Sequence, residues 1–166
     1  MKKERKFYRV LEWDGTTYGG FENSTEPDGV TKAPDWDSNP NIDYGKGLCV
    51  VEGHPLLAFR SISRANPIFF EVQTKPDPPV KSAGGGKYRC EEVTNKRRLT
   101  EQSPEFRPEL LVRLAKRTGY GYWKVRLAAI KMLDPQKHAR LLARIAKEDE
   151  DRNVRRAAAE MNFEQN

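Results

Sequence analysis

Histidine and cysteine are scarce in this 166-residue chain, with two of each: His54 and His138, Cys49 and Cys90. Two cysteines are too few to frame a disulfide-dense domain or a cysteine-rich zinc site. The spacing of Cys49, His54 and Cys90 matches no zinc signature, so no metal centre is expected. Any apolar run approaching the roughly 20 residues of a membrane span is also missing. With 33% of residues charged and a mean hydropathy of −0.83, the sequence reads as soluble and without a membrane partner. The basic opening Met1-Lys2-Lys3-Glu4-Arg5-Lys6 runs straight into Phe7-Tyr8-Arg9-Val10, with no apolar h-region, and is not a secretory signal. A reduced, cytoplasmic setting follows. No phosphate-binding glycine loop is present either, because Gly84-Gly85-Gly86 lacks the Lys-Ser/Thr and helix of a P-loop. Asp28, Asp35, Asp37 and Asp43 fit no calcium-loop spacing.

What the chain does have is a formal charge of +6 and a pI near 9.3, which raises nucleic acid as a partner. Residues 1–100 hold 16 Lys/Arg against 14 Asp/Glu, and residues 101–166 hold 14 against 10. That is a mild excess in each part rather than a basic tract.

Composition changes near Thr100. Ten of the 12 glycines and eight of the 11 prolines precede it, whereas Leu, Ala, Arg, Lys and Glu with helical spacing follow. The reading is an α+β protein, with a small mixed-sheet domain over residues 1–100 and a helical domain over 101–166. Strand formers fill residues 6–13, ending at the turn signal Asp14-Gly15. Further strands are expected at 47–51, 67–74, 87–93 and 96–99, with a short helix opening at Pro55. Residues 22–46 and 76–86 read as loops, the first long enough to be functional or disordered.

The helical part contains an internal repeat. Leu110-Leu111-Val112-Arg113-Leu114-Ala115-Lys116 returns 31 residues later as Leu141-Leu142-Ala143-Arg144-Ile145-Ala146-Lys147, and Lys124-Val125-Arg126-Leu127-Ala128-Ala129 returns 29 later as Asn153-Val154-Arg155-Arg156-Ala157-Ala158. Val125, Ala128, Ala129, Met132 and Leu133 lie on one helical face, and Val154, Ala157, Ala158 and Met161 repeat it. Asp134-Pro135 supplies an N-cap and first-turn proline for the third helix. Ser103-Pro104 or Arg107-Pro108 opens the first. Two helical hairpins result.

The stretch from Ala146 to Glu160, an acidic loop followed by Val154-Arg155-Arg156-Ala157-Ala158, resembles a HEAT-like repeat. Pro108-Glu109-Leu110-Leu111-Val112-Arg113-Leu114-Ala115 resembles the helix opening of the leucine-rich repeat variant. In the first copy Gly119-Tyr120-Gly121-Tyr122-Trp123 replaces the acidic loop. The resemblance implies two stacked HEAT-like hairpins that present a surface to another macromolecule, with Arg126 and Arg155 anchoring a loop or the next helix. In the N-terminal part, Gly45-Lys46-Gly47-Leu48-Cys49-Val50-Val51, Pro55 to Phe59 and Ile68-Phe69-Phe70-Glu71-Val72 resemble small phage and bacterial domains of unknown function. A similar order occurs in ADP-ribosyltransferase-like folds. That resemblance implies a phage or mobile-element source and NAD as cofactor, with Arg9 contacting it and Tyr44 or Phe59 stacking on nicotinamide. No catalytic glutamate motif can be assigned.

The leading expectation is therefore a non-enzymatic interaction module that uses no cofactor and binds another protein. Its contact surface is expected at Tyr120, Tyr122, Trp123, Trp36, Lys124, Arg152 and Arg156. Trp36 sits on a long polar loop, where an aromatic either pins the loop to the body or reaches a partner. The alternatives are an NAD-dependent ADP-ribosyltransferase-like enzyme and a nucleic-acid-binding module, and self-association stays open. His54, between Gly53 and Pro55, could act as a general acid/base or cap the turn. His138 belongs to a solvated helix face.

Overall fold

The computed structural model describes residues 5–12, 14–15, 23–41, 46–60, 66–82, 87–119 and 121–163. The fold is mixed α+β: a seven-stranded antiparallel sheet followed by helices. The strands are β1 (Phe7–Leu11), β2 (Val30–Lys32), β3 (Leu48–Glu52), β4 (Ile68–Lys75), β5 (Val80–Lys81), β6 (Lys87–Cys90) and β7 (Glu92–Leu99). They lie in the order β2-β7-β4-β1-β3-β6-β5. The helices are α1 (Pro108–Ala115), α2 (Trp123–Lys131), α3 (Pro135–Glu148) and α4 (Arg152–Phe163), and 3-10 helices span Pro55–Arg60 and Pro104–Phe106. Among the described residues no helix is long and apolar enough to cross a membrane.

The chain divides into two compact units, one of Met1–Ala58 with Ile62–Glu101, the other of Phe59–Ser61 with Gln102–Asn166. In the sheet unit β1 is central and every residue of it is buried. Successive side chains of a strand point to opposite faces, so Phe7 and Leu11 share one face with Leu48, Val50, Phe70, Val72, Cys90 and Val93 as a continuous apolar core. Tyr8, Val10, Val51, Phe69 and Leu99 are buried on the other face.

The polar segment read as a loop over 22–46 contains β2 and is tied down by two buried polar side chains. Asn95 Nδ2 donates to the carbonyls of Ser24 (2.8 Å) and Glu26 (3.0 Å). Arg89, fully buried, donates to the carbonyls of Asp37, Asn39 and Lys46. Trp36 lies beside the Arg89 guanidinium, 5.9 Å from ring centroid to Cζ, and packs against the core. A Cβ on Gly47 would come within 2.6 Å of the Trp36 ring, and Gly47 has φ +100°, so only glycine fits there.

In the helical unit α2 packs on α1 and α4, and α3 packs on α4. Arg107-Pro108 opens α1, while Ser103-Pro104 opens the preceding 3-10 helix. Asp134 caps α3, its carboxylate accepting from the N–H groups of Gln136 (3.0 Å) and Lys137 (3.3 Å). The expected two-copy HEAT-like pattern is not seen. The helix pairs are unequal, at 8 and 9 residues against 14 and 12, and α3 is kinked at His138 (φ −117°, ψ 18°). Asp151 caps α4 through Asn153 N–H, whereas Tyr122 offers α2 no side-chain cap.

Candidate interaction surface

The segment between α1 and α2 belongs to the helical unit, as does Arg60 at the end of the first 3-10 helix. Gly119 and Gly121 take φ of +113° and +78°, which turns the chain tightly enough to present Tyr122 and Trp123 in succession. The Tyr122 ring carries two cations, with Arg60 Cζ 4.5 Å and Arg117 Cζ 4.3 Å from its centroid. The Lys124 ammonium lies 5.4 Å from the Trp123 ring centroid. Guanidinium and ammonium groups at these distances are drawn to the negative face of the ring, so the aromatics hold a cluster of positive charge in place.

Facing this cluster is the α3–α4 loop. Arg126 on α2 is 3% exposed and forms a bidentate pair with Asp149, Nε to Oδ2 at 2.8 Å and Nη2 to Oδ1 at 2.9 Å. Its Nη2 also reaches Glu150 (3.0 Å), and its Nη1 donates to the carbonyl of Arg117 (3.0 Å). Burial pulls the Arg126 pKa down, but the hydrogen bond and charge of Asp149, with Glu150, outweigh it and the net shift is upward. Arg155 donates to the carbonyls of Asp149 (2.6 Å) and Glu150 (3.2 Å). Arg126 and Arg155 thus hold the same acidic loop, the first through its carboxylates and the second through its backbone carbonyls.

Beside them is a concavity of about 610 Å³, whose walls include Arg60, Trp123, Lys124, Arg126, Glu150 and Asp151. Tyr122, Trp123 and Lys124, expected on one surface, are neighbours here. Tyr120 lies outside the described residues. Arg152 and Arg156 are exposed on α4, and Arg156 makes a surface pair with Glu160 at 3.8 Å. Trp36 belongs to the sheet unit, where it pins a loop. Arg60 and Asp149 were missed by the sequence reading. Arg60 sits 57 residues before Arg117, and nothing in its neighbours hints at a tyrosine partner.

Two of the three residues proposed for NAD, Arg9 and Phe59, are buried. Arg9 is the middle residue of a wholly buried strand, 3% exposed, and its guanidinium bonds the Asn23 side chain. Phe59 is 7% exposed and is assigned with the helical unit, whereas Arg9 belongs to the sheet unit. Tyr44 lies outside the described residues. His54 is buried, and its Nδ1 accepts from Leu56 N–H at 3.1 Å, capping the 3-10 helix. Cys90 is fully buried among apolar side chains, which pushes its thiol up to about 12, while Cys49 is exposed.

Compared with known protein families, with curated proteins and with solved structures, the chain matches none. The resemblances to HEAT-like repeats, to the leucine-rich repeat variant, to small phage domains and to ADP-ribosyltransferases are corrected by that result. Short motifs such as Val-Arg-x-Ala-Ala follow from any amphipathic helix with a buried alanine face and a loop-anchoring arginine. They carry no family information by themselves.

Proposed function

We propose that the chain is a non-enzymatic interaction module that binds a polypeptide segment of another protein in the concavity of its helical unit. The observation that carries this reading is the lining. Trp123 offers an apolar wall, Arg60 and Lys124 offer cations, and Glu150 and Asp151 offer carboxylates within one concavity. Tryptophan, tyrosine and arginine are the side chains that most often dominate protein-binding energy. Both signs of charge together suit a polypeptide, which carries amide, cationic and anionic groups, better than a uniform polyanion. Arg126, buried and anchored to Asp149, keeps the far wall in a fixed position.

The test is selection of a random-peptide library on the immobilised protein, followed by titration calorimetry of the enriched peptides. Wild type is compared with Trp123→Ala and Lys124→Glu. Enriched peptides should lose at least tenfold in affinity to both variants, with melting temperature retained in Lys124→Glu. Failure to enrich any sequence, or enriched peptides indifferent to both substitutions, overturns the reading.

A further inference from the structure

The division of charge between the two units is sharper than the division at residue 100. The helical unit holds 15 Lys/Arg against 9 Asp/Glu, whereas the sheet unit holds 15 against 15. The whole formal excess of +6 therefore belongs to the helical unit. Part of it is arranged along α3. Arg140, Arg144 and Lys147 occupy positions i, i+4 and i+7, all after the kink at His138, and all three are exposed. At 3.6 residues per turn they fall within about 60° of arc and span about 10 Å of helix. The buried residues Leu142 and Ile145 point the opposite way.

None of the three has an ion-pair partner among the described residues. Lys137, one turn earlier, extends the row and is paired only loosely with Asp134 at 3.5 Å. Gln136 and Ala143 fill the rest of the exposed face, and the one acidic residue of the helix, Glu148, is its last. Like charges at i, i+4 destabilise a helix slightly; the helix dipole favours Lys147 in the last turn, but it does not account for Arg140, two turns from the end.

We propose that this row is a docking strip for the phosphate backbone of a nucleic-acid duplex, contacted without base readout. Charge complementarity selects the occupant. The strip carries no aromatic or large apolar side chain, and the one carboxylate beside it, exposed Glu148, stands at the end of the helix. A protein interface places aromatic and apolar anchors at its centre and is depleted in lysine. A phosphate backbone needs only regularly placed cations. A membrane surface is disfavoured because the apolar residues of α3 face inward and leave nothing to enter the acyl region. The strip is separate in sequence from the peptide-binding concavity, and either reading stands without the other.

The test is fluorescence anisotropy of the full chain with a labelled 20-base-pair DNA duplex, from 50 to 200 mM salt. A second titration uses labelled polyglutamate. Release of counterions from about three phosphates gives a slope of log K against log salt near −2.7, a loss of about 40-fold over that range. Arg140→Ala with Arg144→Ala should reduce the slope to about −0.9 and weaken binding at least tenfold at 50 mM salt. Lys75→Glu with Lys96→Glu, exposed on the sheet unit, should keep the slope. Circular dichroism should be unchanged in both variants, since every substituted residue is exposed. Three results overturn the proposal: no duplex binding below millimolar protein at 50 mM salt, tighter binding of polyglutamate than of duplex, or an α3 variant that binds duplex like wild type.

Discussion

At Arg126 a guanidinium that is 3% exposed meets a carboxylate, Asp149, that is 7% exposed. Removing one partner of such a pair leaves the other charge buried and uncompensated, which costs about 3–5 kcal/mol. Arg126→Met keeps much of the side-chain volume but strands Asp149 and frees the Arg117 carbonyl. Urea unfolding at neutral pH should show a loss of that size, and a loss below about 1 kcal/mol would mean the loop relaxes and carries Asp149 into solvent. The anchoring role of the arginine was expected only from a family resemblance that the comparisons do not support. The arginine's partner was not foreseen. Asp149 is one of four consecutive acidic residues at 148–151, and only folding decides which of them turns inward. Trp36 shows the same limit, since its two readings, pin or anchor, differ only in whether Gly47 and Arg89 stand beneath the ring.

Among the elements, β1, β3, β4 and β6 were readable from their strand-forming residues, and the two shortest strands were not. β4, eight residues with burial alternating over Val72–Lys75, stood out from its Phe, Ile and Val content. β2 and β5, three and two residues long, form the two edges of the sheet and sit within segments rich in proline and glycine. Their local signal is that of a loop, and they are strands only because β7 and β6 lie beside them. The sequence joined the start of β7 to β6 as 87–93 and set 96–99 apart, whereas β7 is one strand with a register shift opposite Glu71 and Val72. The polar ties between elements were equally hidden. Glu52 at the end of β3 accepts from Arg5 (2.8 and 3.0 Å), just before β1, and from the Tyr88 hydroxyl of β6 (2.7 Å). The Arg5 hydrogen bond, and then that of Tyr88, pull the Glu52 carboxyl below its ordinary value. A carboxylate favoured by folding stabilises fully above the unfolded value of about 4.3 and loses that contribution as pH falls below it. The difference in melting temperature between wild type and Glu52→Gln should therefore be constant from about pH 5.5 to 8 and shrink toward pH 3. A difference that persists unchanged at pH 3 would mean that shape rather than charge makes the tie.

For the whole molecule, the uneven division of charge has a consequence beyond recognition. A net charge far from zero destabilises a compact state by self-repulsion, and here the entire excess is confined to about two-fifths of the chain. Much of that charge is exposed on α3 and α4 and lies within a Debye length at low salt, whereas the Arg126–Asp149 pair is buried and screened little. Raising sodium chloride from about 20 to 200 mM should therefore increase the melting temperature, because repulsion among surface cations is screened while the buried attraction is kept. Arg140→Glu with Arg144→Glu lowers the net charge of the helical unit from +6 to +2 and should flatten that dependence, with a gain in stability at low salt. A melting temperature that falls with salt would show that the surface pairs, such as Arg97–Glu71 and Lys6–Glu71, outweigh the repulsion. Rising stability with salt and falling affinity for duplex with salt are two readouts of one cause. Cations that outnumber the carboxylates around them are costly in the free protein, and small counterions or a polyanion relieve the same repulsion.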